Sequence, residues 1–235
     1  EACRYHPVEQ LVYASSSSVY GGNKKVPFSE GDCVDNPVSL YAATKKCNEL
    51  MANAYSKLYG IPATGLRFFT VYGPMGRPDM AYFSFTDKLV RGETIKIFNM
   101  GNCKRDFTYI DDIIEGVCRV MDNPPEKRVG TDGLPLASHR IYNIGNSQPE
   151  DLLVFVDTLQ RVLVEEGVLS ESYNFETHCE LVPMQPGDVP VTFADTSKLE
   201  RDFGYKPATP LEEGLRAFAK WYRGYYKYVP QGKVT

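Results

Sequence analysis

The sequence predicts an α/β fold, in which the later strands of a parallel sheet and their covering helices are joined to a smaller α/β lobe, and three observations carry this prediction. Leu11-Val12-Tyr13-Ala14 is a compact apolar run that breaks into four serines, as a buried strand does where it ends at a ligand crevice. From residue 40 to 58, Leu40, Ala43, Cys47, Leu50, Met51, Ala54 and Leu58 recur mostly at three- and four-residue steps, the stripe of an amphipathic helix. Gly60-Ile61-Pro62 closes that helix and Ala63 to Phe69 reads as the next strand. The three segments form a strand–helix–strand unit with a parallel crossover.

The remaining elements follow in order. A helical stub, Glu1 to His6, precedes the first strand. Phe83 to Val90 and Ile113 to Met121 read as helices, and Ile95 to Phe98 and Ile141 to Ile144 as extended segments. Leu152 to Glu166 is an amphipathic helix, and Asp195 to Asp202 and Leu211 to Tyr222 supply two more. The Pro- and Gly-rich stretch from Asn123 to Ser138 is a surface excursion. The expected division places residues 1–75 in the parallel-sheet domain and 76–235 mainly in the smaller lobe, with segments near 105–118 and 141–146 returning to the sheet.

Composition excludes several functions. A formal charge of -4 argues against a general nucleic-acid binder, so an anionic ligand must be held by a few placed cations. The six cysteines form no Cys-x-x-Cys and have no histidine at ligand spacing, so no metal site is expected. Reduced thiols and no secretory signal suit a cytoplasmic protein. No apolar run approaches the roughly 20 residues that span a bilayer. The histidines, His6, His139 and His178, fall in no motif and read as surface residues.

Tyr41 and Lys45 stand four apart on the predicted helix, so both project from one face. A cation one turn from a phenol favours the phenolate and draws its pKa from about 10 toward neutrality, which suits a general base.

The segments Leu11-Val12-Tyr13-Ala14-Ser15-Ser16-Ser17-Ser18-Val19-Tyr20-Gly21, Ser39-Leu40-Tyr41-Ala42-Ala43-Thr44-Lys45 and Leu66-Arg67-Phe68-Phe69-Thr70-Val71-Tyr72-Gly73-Pro74, followed by Arg105-Asp106-Phe107-Thr108-Tyr109-Ile110-Asp111-Asp112, resemble the extended short-chain dehydrogenase/reductase family in order and spacing. The resemblance covers nearly the whole chain. It implies a Rossmann-type sheet with a substrate-binding lobe, NAD as cofactor and a nucleotide sugar as substrate. It assigns acid/base work to Tyr41, binding of the nicotinamide ribose and tuning of the phenol to Lys45, and the hold on the reacting hydroxyl to Ser16. Ala14, Ser15 and Phe68 complete the cofactor side, with Ser17 and Ser18 facing substrate.

Positions after Ser16 select the reaction. Sugar 4,6-dehydratases of this family carry Asp-Glu there, whereas this sequence has Ser17 and Ser18. Without a carboxylate, redox epimerisation at carbon 4 is expected. Thr70, where UDP-galactose 4-epimerases usually have Asn, and Arg77 in Gly76-Arg77-Pro78-Asp79-Met80 resemble the UDP-glucuronate 4-epimerases. An arginine can hold a carboxylate through two parallel charge-assisted hydrogen bonds. Phe98 matches the uracil-pocket region, Arg105 the diphosphate arginine, and Asp188 a loop near the ribose or diphosphate, although Gln185 stands where other epimerases have Arg.

UDP-glucose 4-epimerisation is the alternative within the enzyme class. No Gly-x-x-Gly-x-x-Gly occurs in the chain, and that is the loop through which a backbone approaches a dinucleotide pyrophosphate. The chain is therefore expected to be a fragment, inactive alone or only a sugar-nucleotide binder, and a homodimer when full length.

Overall fold

The computed structural model describes residues 1–133, 135–184 and 190–227. In chain order the elements are α1 (Ala2–Tyr5), β1 (Leu11–Ser16), α2 (Leu40–Tyr59), β2 (Ala63–Phe68), β3 (Thr70–Tyr72), α3 (Ala81–Val90), β4 (Ile95–Ile97), β5 (Lys104–Tyr109), α4 (Ile110–Met121), β6 (Arg128–Val129), β7 (Pro135–Leu136), β8 (His139–Ile144), β9 (Pro149–Asp151), α5 (Leu152–Glu165), β10 (Cys179–Leu181), β11 (Val191–Thr192), α6 (Ser197–Phe203) and α7 (Leu211–Tyr226). They gather into two compact units. Unit 1 takes residues 1–69, 111–147 and 193–207, and unit 2 the described parts of 70–110, 148–192 and 208–235. Against the division expected at residue 75, the first unit ends at 69, its return begins at 111, and 193–207 joins it as well.

Unit 1 is built on a parallel sheet of order β1-β2-β8, in register from Leu11↔Ala63↔His139 to Ser16↔Phe68↔Ile144. Central β2 is buried along Ala63 to Arg67, as expected of a parallel strand covered on both faces. Gly65 does specific work at its middle. A Cβ there would lie 2.6 Å from the Tyr13 ring, so its absence lets Tyr13 cross β2 and bond its hydroxyl to His139 Nε2 at 2.7 Å. His139 is thus a half-buried partner of Tyr13, not the surface residue expected from sequence.

Helix α2 corrects a second expectation. Ser39 caps its start by accepting a hydrogen bond from the Ala42 amide, and Gly60 ends it in the left-handed conformation, both local signals of helix ends. The apolar stripe, however, turns outward, with Leu40, Leu50, Met51 and Leu58 all more than half exposed. The buried residues are Ala42, Glu49 and Ser56, spaced seven apart along one side. The reason is electrostatic: Glu49 meets a buried arginine of β2, and a buried charge must be paired.

Acid sensitivity follows from two groups of this unit. Burial depresses His139 below the ordinary 6.5. Burial pushes Glu49 up, but hydrogen bonds and charge from Arg67 outweigh it and hold the carboxyl below its ordinary 4.5. In both cases the unfolded chain takes up the proton first as pH falls, so stability is lost on acidification. Unit 1 is expected to weaken below about pH 6.5 through His139 and again below about 4.5 through Glu49. Denaturant midpoints across this range, with His139→Gln abolishing the first limb, check it.

In unit 2, β5 pairs in parallel with β3 and β11 and antiparallel with β9, while β4 pairs with β10. Helices α5 and α7 pack on this framework around Phe155, Leu159, Leu215 and Phe218. The rings of Phe107 and Phe155 stack at 4.3 Å. Gly214 admits Tyr72, whose hydroxyl would stand 2.4 Å from a Cβ there.

The expected helices are all present, although α4 begins at Ile110 and α7 runs to Tyr226. The Asn123 to Ser138 stretch holds the antiparallel β6–β7 pair, with Val129 exposed. Among the described residues no helix is long and apolar enough to cross a membrane, and no group of three His, Cys, Asp or Glu is placed to hold a metal. All six cysteines are free thiols.

Candidate active site

The sequence shapes the end of β1 through its serines. Ser16 stays extended and caps a 3-10 turn, Ser17–Tyr20, its Oγ accepting from the Ser18 amide at 3.2 Å. Gly21 then reverses the chain at φ 56°, in a position where a Cβ would stand 2.2 Å from the Asn36 carbonyl. Only glycine fits both constraints. Capping by Ser39 starts α2 one residue before Tyr41, which leaves the Tyr41 ring 54% exposed. One turn on, Lys45 Nζ donates to the Ala14 carbonyl at 3.0 Å and lies 5.6 Å from the centre of the Tyr41 ring. Ala14, Tyr41 and Lys45 are therefore together, two residues from Ser16 along β1.

The other expected residues of this unit divide by side. Phe68 stands beside Ser16 in the last row of the sheet and is half-buried. Ser17 is also half-buried. Ser18 Oγ is buried with no protein hydrogen-bond partner, a state that a native structure usually resolves with a ligand or water. Ser15 points the opposite way: it is buried and donates its hydroxyl to Glu49 at 2.7 Å. Only its backbone is left for a cofactor.

Sequence reasoning missed what lies behind this surface. Ser15, Arg67 and Asn143 form one buried row across the three strands. Arg67 forks onto Glu49 at 2.8 and 2.9 Å and donates to the Tyr20 hydroxyl at 3.0 Å. Tyr20, its pKa pushed up to about 12 by burial, donates to Asn143 Oδ1 at 2.6 Å. Asn143 Nδ2 donates to the carbonyls of Phe28 and Asp195. The available signal was Arg67 itself, since an arginine within a fully buried strand requires a carboxylate nearby.

In unit 2, Thr70 opens β3 and is half-buried. Arg77 is exposed and forks onto Asp79, with Nε to Oδ1 at 3.0 Å, and this hydrogen bonding holds the Asp79 carboxyl below its usual range. Its loop is anchored at Gly76, where a Cβ would strike the hydroxyl of buried Tyr82 at 1.6 Å. Phe98 begins a tight turn in which Asn99 and Met100 have positive φ. Arg105, on β5, donates to the Pro190 carbonyl at 3.1 Å. Asp188 and Gln185 lie outside the described residues.

The sequence profile of the NAD dependent epimerase/dehydratase family matches residues 1–145. The chain belongs to that family. Among its relatives, protein CapI of Staphylococcus aureus is 48% identical over 97% of this chain and 67% of its own length. UDP-glucuronate 4-epimerase 2 of Arabidopsis thaliana is 48% identical over 97% of this chain, which spans 51% of that enzyme. The crystal structure of the UDP-glucuronic acid 4-epimerase of Bacillus cereus, in complex with UDP-glucuronic acid and NAD, superposes with a TM-score of 0.78 at 30% identity, covering 96% of this chain and 65% of that one. The chain thus spans about half to two thirds of the length of these family members.

Proposed function

We propose that this chain carries the catalytic residues of an NAD-dependent 4-epimerase that interconverts UDP-glucuronate and UDP-galacturonate. The observation that carries the reading is the meeting of Lys45 with the Ala14 carbonyl beside an accessible Tyr41, at the strand end that Ser16 closes. An ammonium has three donors, so Lys45 keeps two for the ribose hydroxyls of a nicotinamide nucleotide after its bond to Ala14. Exposed Tyr41 and the half-buried Phe68 fit the same nucleotide.

Bound NAD supplies a hydride acceptor that later returns the hydride to carbon 4. The chain's own residues handle the proton and the orientation. Tyr41 takes the proton of the 4-hydroxyl and gives it back after the sugar has turned over. Lys45, one turn away, stabilises the phenolate that accepts the proton and that is regenerated when the proton is returned. Ser16 orients the hydroxyl, its Oγ lone pair being committed to the Ser18 amide so that its O–H points its donor elsewhere. Ser17 and the unpartnered Ser18 hydroxyl extend this polar wall toward substrate. No carboxylate stands next to Ser16 to drive an elimination.

Thr70, Arg77, Phe98, Arg105 and Asp188 are assigned to the UDP-sugar, with Arg77 reading the carboxylate. The fork it makes onto Asp79 has the geometry that assignment needs. The outward stripe of Leu40, Leu50, Met51 and Leu58 supports a homodimer, and free thiols suit the cytoplasm. The test is NMR of UDP-glucuronate with NAD and a protein in which this chain is joined to a glycine-rich cofactor-binding segment of the family. UDP-galacturonate should accumulate, and from the reverse direction the same ratio should be reached; conversion of UDP-glucose but not UDP-glucuronate would refute the substrate.

A further inference from the structure

We propose that the buried Glu49–Arg67–Ser15 network is a positioning device that sets where Tyr41 and Lys45 stand relative to the end of β1, an inference that rests on the epimerase reading of that site. Glu49 lies one turn beyond Lys45 and eight residues beyond Tyr41 on α2. It is met there by both strands whose ends shape the site: Arg67 of β2 through two N–H groups, and Ser15 of β1 through its hydroxyl. Ser15 sits between Ala14, which accepts the Lys45 bond, and Ser16. One carboxylate therefore fixes the helix and the strand to each other at adjoining points.

Rotation is the freedom this removes. A slip of one residue turns a helix by about 100°, which would carry Tyr41 off the β1 side altogether. The apolar face of α2 cannot prevent such a slip, because Leu40, Leu50, Met51 and Leu58 point outward. Small Ala42 and Ser56, the other buried residues, make no directional bond to the sheet through their side chains that could do so. Glu49 and Arg67, at 4% and 3% exposure, form the buried directional contact, one turn beyond the bond that Lys45 itself makes to the Ala14 carbonyl. Buried ion pairs are often replaceable by apolar groups with little change in stability, so a network kept at this place has its effect on geometry.

The experiment removes the polar contacts while keeping the volume. In a protein that joins this chain to a glycine-rich cofactor-binding segment of the family and is loaded with NAD, Ser15→Ala, Glu49→Leu and Arg67→Met are combined, and kcat, KM for UDP-glucuronate, thermal unfolding and the rate of amine labelling at Lys45 are measured. The network account predicts cooperative unfolding near the wild-type temperature, kcat lowered about tenfold or more, KM within about twofold, and faster labelling of Lys45. A folded variant with kcat within twofold and unchanged labelling overturns it. If the triple variant does not fold, Glu49→Asp decides, since it keeps the charge but shortens the reach: a selective kcat loss upholds the proposal and wild-type kcat overturns it. Should the wild type convert no UDP-sugar, the functional reading fails, and the labelling of Lys45 alone then upholds or overturns the positioning role.

Discussion

In a protein that joins this chain to a glycine-rich cofactor-binding segment, replacing Tyr41 by Phe lowers turnover by about a hundredfold or more while leaving UDP-sugar binding largely intact. The substitution keeps the ring and deletes one oxygen. That oxygen makes no hydrogen bond holding the fold among the described residues, and the ring is already more than half exposed, so stability should be nearly unchanged. Lys45 keeps its bond to the Ala14 carbonyl, and the cofactor side of the site is undisturbed. The loss therefore falls on kcat. Steady-state kinetics with UDP-sugar affinity measured separately check this, and near-normal turnover would remove Tyr41 from its role.

Arg77→Ala separates the sugars. Hydrogen bonds to a charged group contribute more than neutral ones, and losing the fork should lower kcat/KM for UDP-glucuronate by roughly ten- to hundredfold. UDP-glucose has a hydroxymethyl group in place of the carboxylate and should be affected far less. In the structure the fork is held by Asp79, so a substrate carboxylate binds Arg77 by exchange with that side chain. There is a chemical consequence too. Oxidation at carbon 4 of a glucuronate places a ketone β to the carboxylate, and such acids lose carbon dioxide readily. The variant is expected to release carbon dioxide and a UDP-4-keto-pentose, whereas the parent retains the intact UDP-4-keto-glucuronate as its epimerisation intermediate. Equal losses on both sugars would show that Arg77 reads something other than the carboxylate.

What the sequence made legible was local. The four serines after an apolar run, the Ser39 cap, the Gly60 stop and the Tyr41–Lys45 spacing are signals contained within a few residues, and β1, α2 and β2 follow from them. The burial side of α2 was not legible, because it depends on Arg67 reaching Glu49 across the fold, and an apolar stripe is the stronger pattern in one dimension. The same holds for Ser15, whose hydroxyl is taken by a partner 34 positions away. The short strands β3, β9, β10 and β11 have two or three residues each, too few for any period to register, and their pairing with β4 and β5 is a product of tertiary contact. Gly65, which reads as an interruption of a strand, proved to be the opening through which Tyr13 reaches His139.

The most direct test follows a label at the reacting carbon. UDP-glucuronate carrying deuterium at carbon 4 is incubated in ordinary water with NAD and a protein in which this chain is joined to a glycine-rich cofactor-binding segment of the family, and the products are read by proton NMR and mass. If Tyr41 moves the proton while the hydride leaves and returns within the site, UDP-galacturonate forms with the deuterium still on carbon 4. Loss of the label to solvent in the product, or no UDP-galacturonate at all, would contradict the account.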